Sequence, residues 1–185
     1  MDNYITLLGS IVIGGLMLIN FMTFQNDLSQ HTYSQNLDLV LQETAIEVVE
    51  MVERDLWKIG RGMRQPALAV FDDDAISFYA DLENDGTVDE VRYYVSSTSA
   101  ASSTPNPNDR VLYRVVNGTN EFEWAVGVTS FQIKFYDANN DTTSNLYKVR
   151  ALEVSMSFES TLSYDGQYAS YSWRERITPP NLLPL

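Results

Sequence analysis

The segment Asp81-Leu-Glu83-Asn-Asp85-Gly-Thr87-Val-Asp89 carries the clearest pattern in this chain that could do chemistry. Acidic side chains stand at its first, third, fifth and ninth positions, with Gly86 at the sixth. Short loops wrap Ca²⁺ in this way. Acids at alternate positions supply hard oxygen ligands, glycine permits the sharp turn, and the seventh residue, here Thr87, offers its backbone carbonyl. The bidentate acid expected at the twelfth position is replaced by Arg92, and the flanking segments alternate as strands do, so the loop is not an EF-hand. Two readings follow. One is a structural Ca²⁺ site on Asp81, Glu83, Asp85, Thr87 and Asp89; the other is an acidic β-turn with Asp85-Gly86 at its tip. Asp137-Ala-Asn139-Asn140-Asp141 repeats the pattern without the glycine, and Asx turns account for it. Asp72-Asp73-Asp74 reads as a solvated turn.

Little else in the chain points to chemistry. There is no cysteine, so disulfides, thiolate catalysis and cysteine-based zinc sites are excluded. The single histidine, His31, lies in a polar stretch and reads as a solvated surface residue. No nucleophile–base–acid set and no glycine-rich phosphate loop is visible, so the chain is not expected to be an enzyme. A formal net charge of −13 and a pI near 4.3 repel nucleic acid, which is not an expected partner. The same charge weakens contact with anionic headgroups, so any membrane attachment works by apolar burial. Asn117-Gly-Thr and Asn140-Asp-Thr match the N-glycosylation pattern but read first as turns.

The elements that position these residues begin with an uncharged run from Tyr4 to Phe24. About 20 apolar residues cross a bilayer core as a helix. No Lys or Arg precedes Arg54, so the run lacks the basic flank of a signal peptide and reads as a retained helix. Ser10 and Gly14 form a small-xxx-small pair that permits close helix–helix approach, and the Gly14–Gly15 pair is a point where the helix could unwind locally. From Leu28 to Ile59 there is neither proline nor glycine. Leu37, Leu41, Ile46, Val48, Val49, Val52, Leu56 and Ile59 mark one apolar stripe, while Glu43, Glu47, Glu50 and Arg54 line another face. Gly60, Gly62 and Pro66 supply stop signals. The spacing therefore predicts one helix of roughly 55 residues, about 80 Å long. Residues 1–24 form its apolar half and residues 25–62 its amphipathic half.

Residues 63–185 read as a β-rich head. Period-two alternation marks Ala75–Ala80, Val88–Val95, Arg110–Val116, Phe122–Val126, Ser130–Tyr136, Val149–Phe158 and Gln167–Ile177 as strands of antiparallel sheet. Ser96 to Asn108 lacks large apolar residues and reads as a mobile, exposed loop. The helix stripe is expected to cover the apolar face of the sheet, giving a two-layer α+β fold.

This layout resembles the type IV pilin and type II secretion pseudopilin family, nearest to its minor pilin W and pseudopilin J branch. The likeness rests on the apolar run continuing into Leu28–Ile59, the hairpin ISFYADLENDGTVDEVRYYV, the pair VTSFQIKFYDANN and LYKVRALEVSMSF, and the closing WRERITPPNL. It implies a long N-terminal helix on an antiparallel sheet, and a structural subunit of a pilus or pseudopilus. Its partners would be copies of itself or related pilins, and the inner membrane before assembly. Its location would be a surface filament, or the inner membrane with the head outside the cytoplasm. Asp2, Ile5, Leu8, Ser10, Ile13, Gly14, Gly15 and Leu18 would pack in the filament. The family's leader peptide is not seen, and Ile5 stands where the family carries a glutamate; Asp2 is expected to take over that residue's pairing with a neighbour's amino terminus. The alternative is a single-pass, membrane-anchored binding or adhesin domain.

Overall fold

The computed structural model describes residues 2–63, 67–72, 74–118 and 120–182, with side chains described at all of these except 2, 70, 71 and 120–126. Three residues singled out by the sequence, Pro66, Asp73 and the side chain of Asp2, therefore lie outside the described residues.

Helix α1 runs without interruption over Asp2–Leu56, 55 residues. Gly14 and Gly15 are helical, so the suspected point of unwinding is continuous. The chain divides into two compact units, residues 1–37 and residues 38–185. The first is helix alone. The second combines the end of α1 with the head, and it has the expected α+β, pilin-like architecture. After Leu56 the chain passes through turns to Met63, so the helix stops a little short of the expected 62.

Among the described residues, seven strands form one antiparallel sheet in sequence order: β1 (Leu68–Asp72), β2 (Ala75–Ala80), β3 (Asp89–Val95), β4 (Arg110–Val116), β5 (Asn120–Tyr136), β6 (Ala151–Tyr164) and β7 (Gln167–Ile177). Strand β1 was not foreseen. It is five residues long, its near end follows Pro66, and its far end enters the acidic run that reads as a turn. The two segments expected at Phe122–Val126 and Ser130–Tyr136 are one 17-residue strand. Its first part pairs with β4, its second with β6, and the register slips in both ladders near Val128. Gly127 sits at this slip with φ of +107°, and a Cβ there would lie 2.9 Å from the Glu159 carbonyl oxygen. Glycine thus lets the strand bend and continue where other residues would end it.

The core lies between α1 and the sheet. Leu41, Ala45, Val48, Val49, Val52, Leu56 and Ile59 are buried against strand residues that include Phe78, Tyr93, Phe131, Val154 and Phe158. Each fully buried aliphatic or aromatic side chain of this kind contributes about 1.5–3 kcal/mol. The stripe departs from expectation at two places. Ile46 faces solvent, with Ala45 taking the inward position, and Asp55 is buried among the apolar residues. Glu43, Glu47, Glu50 and Arg54 are exposed, as the pattern predicts.

The segment between β3 and β4 is largely exposed, as its composition predicts, but it is docked at a few points. It contains a short 3-10 turn at Thr98–Ala101, and Ala101, Asn106 and Asp109 are buried. The Asn106 Nδ2 donates to Glu159 Oε2 (3.0 Å) and to the Ser160 carbonyl (3.1 Å), and the Tyr168 hydroxyl donates to the Pro105 carbonyl (3.3 Å). Polar side chains thus fasten to β6 and β7 a segment that has too little apolar surface to be held by burial alone.

Candidate functional site

The first unit presents the largest unsatisfied surface. Every large apolar side chain between Tyr4 and Phe24 is exposed, from 56% at Leu16 to 75% at Tyr4. Ile5, Leu8, Ile13 and Leu18 belong to this set, Ser10 is exposed beside them, and a Cβ added at Gly14 or Gly15 would meet nothing within 4 Å. The structure thus places these expected packing residues on one continuous helical segment. The glycines leave local gaps where another backbone can come close.

The polar residues within this segment are tied to its own backbone. Thr6 Oγ1 donates to the Asn3 carbonyl, Ser10 Oγ to Thr6, Asn20 Nδ2 to Leu16 and Thr23 Oγ1 to Ile19, at 2.8–3.0 Å. A hydroxyl or amide in hydrocarbon costs several kcal/mol unless it is bonded. Folding these groups back onto the preceding turn removes most of that cost and leaves the helix surface effectively apolar. The helix is long and apolar enough to cross a membrane.

The Asp81–Asp89 loop joins β2 to β3, and its carboxylates serve the loop's own N–H groups. Asp81 Oδ1 accepts from the Asp85 N–H (3.2 Å) and its Oδ2 from the Gly86 N–H (3.0 Å). Asp85 Oδ1 accepts from the Thr87 N–H (2.7 Å). Asp89 Oδ2 accepts from the Leu82 N–H (3.4 Å), and its Oδ1 accepts from Asn117 Nδ2 (2.8 Å). Glu83, Asp85 and Thr87 are exposed. Among the described residues, no three of His, Cys, Asp and Glu come together as a metal-holding group. As folded, these carboxylates cap the N–H groups of the turn itself.

The loop instead receives the chain leaving α1. Lys58 Nζ donates to the Leu82 carbonyl (3.0 Å), Arg61 Nη2 to Asn84 Oδ1 (2.7 Å), and the Asp81 N–H to the Arg61 carbonyl (2.9 Å). Gly62, at φ +78°, passes so close that a Cβ would lie 3.0 Å from the Asp81 Cβ.

A second polar centre joins helix to sheet. The Tyr93 hydroxyl donates to Asp55 Oδ2 (2.7 Å), and Arg114 Nε donates to the same oxygen (2.8 Å) and to Tyr93 Oη (3.1 Å). Lys58 Nζ lies 4.0 Å from Asp55 Oδ1. Burial, then the Asp55 charge, pushes the Tyr93 phenol well above its ordinary value, with Arg114 opposing. Burial works against the Arg114 charge, but bonding to Asp55 outweighs it and the guanidinium is held more firmly protonated. Sequence reasoning missed this triad. The available signal was an acid at position 55 inside the apolar stripe, three residues after Val52 and four before Ile59, which obliges the fold to supply a cation or donor.

No family model matches the chain, and no curated protein matches it in sequence.

Proposed function

We propose that this protein is a non-catalytic subunit of a type IV pilus-like or pseudopilus filament, assembled by burial of residues 4–24 among copies of itself or related subunits after storage in the inner membrane. The observation that carries the reading is the apolar, self-satisfied surface of that segment, which continues as one helix into the covering layer of the head. Covering its exposed apolar side chains is worth on the order of tens of kcal/mol, summed at about 1.5–3 kcal/mol each. A bilayer can supply that cover for a stored subunit, and a bundle of like helices can supply it in a fibre. A simple tether gains nothing from one uninterrupted helix running into its head, whereas a filament subunit does.

The test is fractionation of cells expressing the chain. Sheared surface material should contain it in a pelletable, fibrous fraction, and Ile13→Glu should remove it from that fraction while the head still folds. Recovery of the wild-type chain solely with membranes would favour the alternative, a membrane-anchored binding or adhesin domain.

A further inference from the structure

Among the described residues, Asp109 alone holds buried side-chain oxygens with no hydrogen-bond partner, and both of its carboxylate oxygens are in this state. The residue is 1% exposed. Buried polar groups are nearly always paired, and an orphaned one points to a ligand, ion or water that completes it. An orphaned carboxylate in particular calls for positive charge.

Its surroundings are rich in oxygen. Asp109 closes the docked segment ahead of β4, its own N–H bonded to the Asn106 carbonyl (3.2 Å). The charge acting on it comes from another acid, Glu159 of β6, and burial is the larger influence raising its pKa. Hydrogen bonding from the Thr104 hydroxyl opposes that rise, but the same single hydrogen is shared with the Ala101 (2.9 Å) and Asn106 (3.3 Å) carbonyls, so it cannot satisfy the carboxylate fully. The nearby amides are committed elsewhere: Asn106 Nδ2 (3.0 Å) and Asn108 Nδ2 (3.1 Å) both donate to Glu159 Oε2. Asn106 links the two acids, its carbonyl accepting from the Asp109 N–H and its Nδ2 donating to Glu159 Oε2, so two acids on different elements share one locality.

We infer that Asp109 and Glu159, with oxygens of the docked segment, bind one hard divalent cation, and that this ion clamps residues 96–109 to β6. The cation chemistry favours Ca²⁺, which accepts six to eight oxygen ligands in flexible geometry; Mg²⁺ demands a near-octahedral set and keeps its waters. The site is separate from the Asp81–Asp89 turn and does not depend on how the apolar helix assembles.

The experiment is thermal unfolding of the full chain in detergent, followed by circular dichroism, with EDTA, Ca²⁺ or Mg²⁺ at equal millimolar concentration. Binding to the native state alone raises the midpoint with ligand concentration. The expected result is a rise of several degrees with Ca²⁺ and a smaller one with Mg²⁺. Asp109→Asn and, independently, Glu159→Gln should each abolish the Ca²⁺ rise, while Glu83→Gln in the β2–β3 turn keeps it. Should either site variant fail to fold, the other decides. The proposal is overturned if Ca²⁺ leaves the wild-type midpoint unchanged, if Mg²⁺ acts equally well, or if the rise survives in either folded site variant.

Discussion

Asp55 shows how a single side chain can fix the register of a helix on a sheet. The acid is buried with Arg114 and Tyr93, and the two donors share one of its oxygens. Removing one member of a buried pair leaves an uncompensated charge. Arg114→Met should therefore destabilise the protein by about 3–5 kcal/mol, whereas Asp55→Leu with Arg114→Met together should cost much less. Chemical denaturation of the three proteins checks this. Tyr93 adds a pH signature. Its folded pKa is raised, so the native state holds a phenolic proton that the unfolded chain releases. Stability should accordingly be intact below the ordinary phenol value near 10 and fall as pH climbs beyond it, and Tyr93→Phe should flatten that alkaline decline. Asp109 has the same sign in the acid range. With its carboxyl raised by burial, stability falls as pH rises above the ordinary carboxylate value near 4. In EDTA, Asp109→Asn should thus gain stability relative to wild type at neutral pH and lose that advantage in strong acid. None of these roles was legible as such in the sequence. Asp55 stands out as an acid inside the apolar stripe, but the stripe does not say which donor meets it, and Asp109 ends a stretch of Ser, Thr, Asn and Pro whose composition resembles a free loop. Their significance depends on pairings 38 to 59 residues away, which local pattern does not encode.

At the scale of elements the sequence is far more informative, because periodicity is a local property. The stretch from Leu28 to Ile59 lacks both helix breakers, and α1 indeed covers it as far as Leu56. Alternation located β2, β4 and β7 at their observed bounds. The errors have identifiable causes. Ile46 was assigned to the stripe because it is apolar, although Ala45 lies on the buried line; a small residue at close helix–sheet approach carries little pattern signal. The alternation predicts two segments, Phe122–Val126 and Ser130–Tyr136, whereas Gly127 accommodates a bend and a carbonyl at 2.9 Å within one strand. Gly127→Ala combines a φ of +107° with that clash, and should cost about 1–3 kcal/mol and lower the unfolding midpoint without abolishing the fold. The acidic β2–β3 turn is half legible: Asp85-Gly86 predicts the turn, while the spacing of the acids also fits a metal loop. Its carboxylates proved to cap the loop's own N–H groups. Asp81→Ala should therefore destabilise the head by about 1–2 kcal/mol per orphaned N–H, with the same loss in EDTA and in Ca²⁺.

For the whole molecule, two units are joined through one helix, and their surfaces follow opposite rules. Residues 38–185 bury a core and expose acids, which keeps an acidic head soluble and discourages contact between heads at low ionic strength. Residues 4–24 do the reverse, exposing apolar side chains and hiding every polar one that can reach its own backbone. Such a chain needs either lipid or its own kind around that segment. The most direct measurement is cryo-electron microscopy of material sheared from cells producing this chain. The account predicts helical fibres whose centre is a bundle of residues 4–24 from successive subunits, with the sheet-bearing heads outside. Particles of a single chain held in a detergent micelle, with no fibre in which that segment is packed against neighbours, would contradict it.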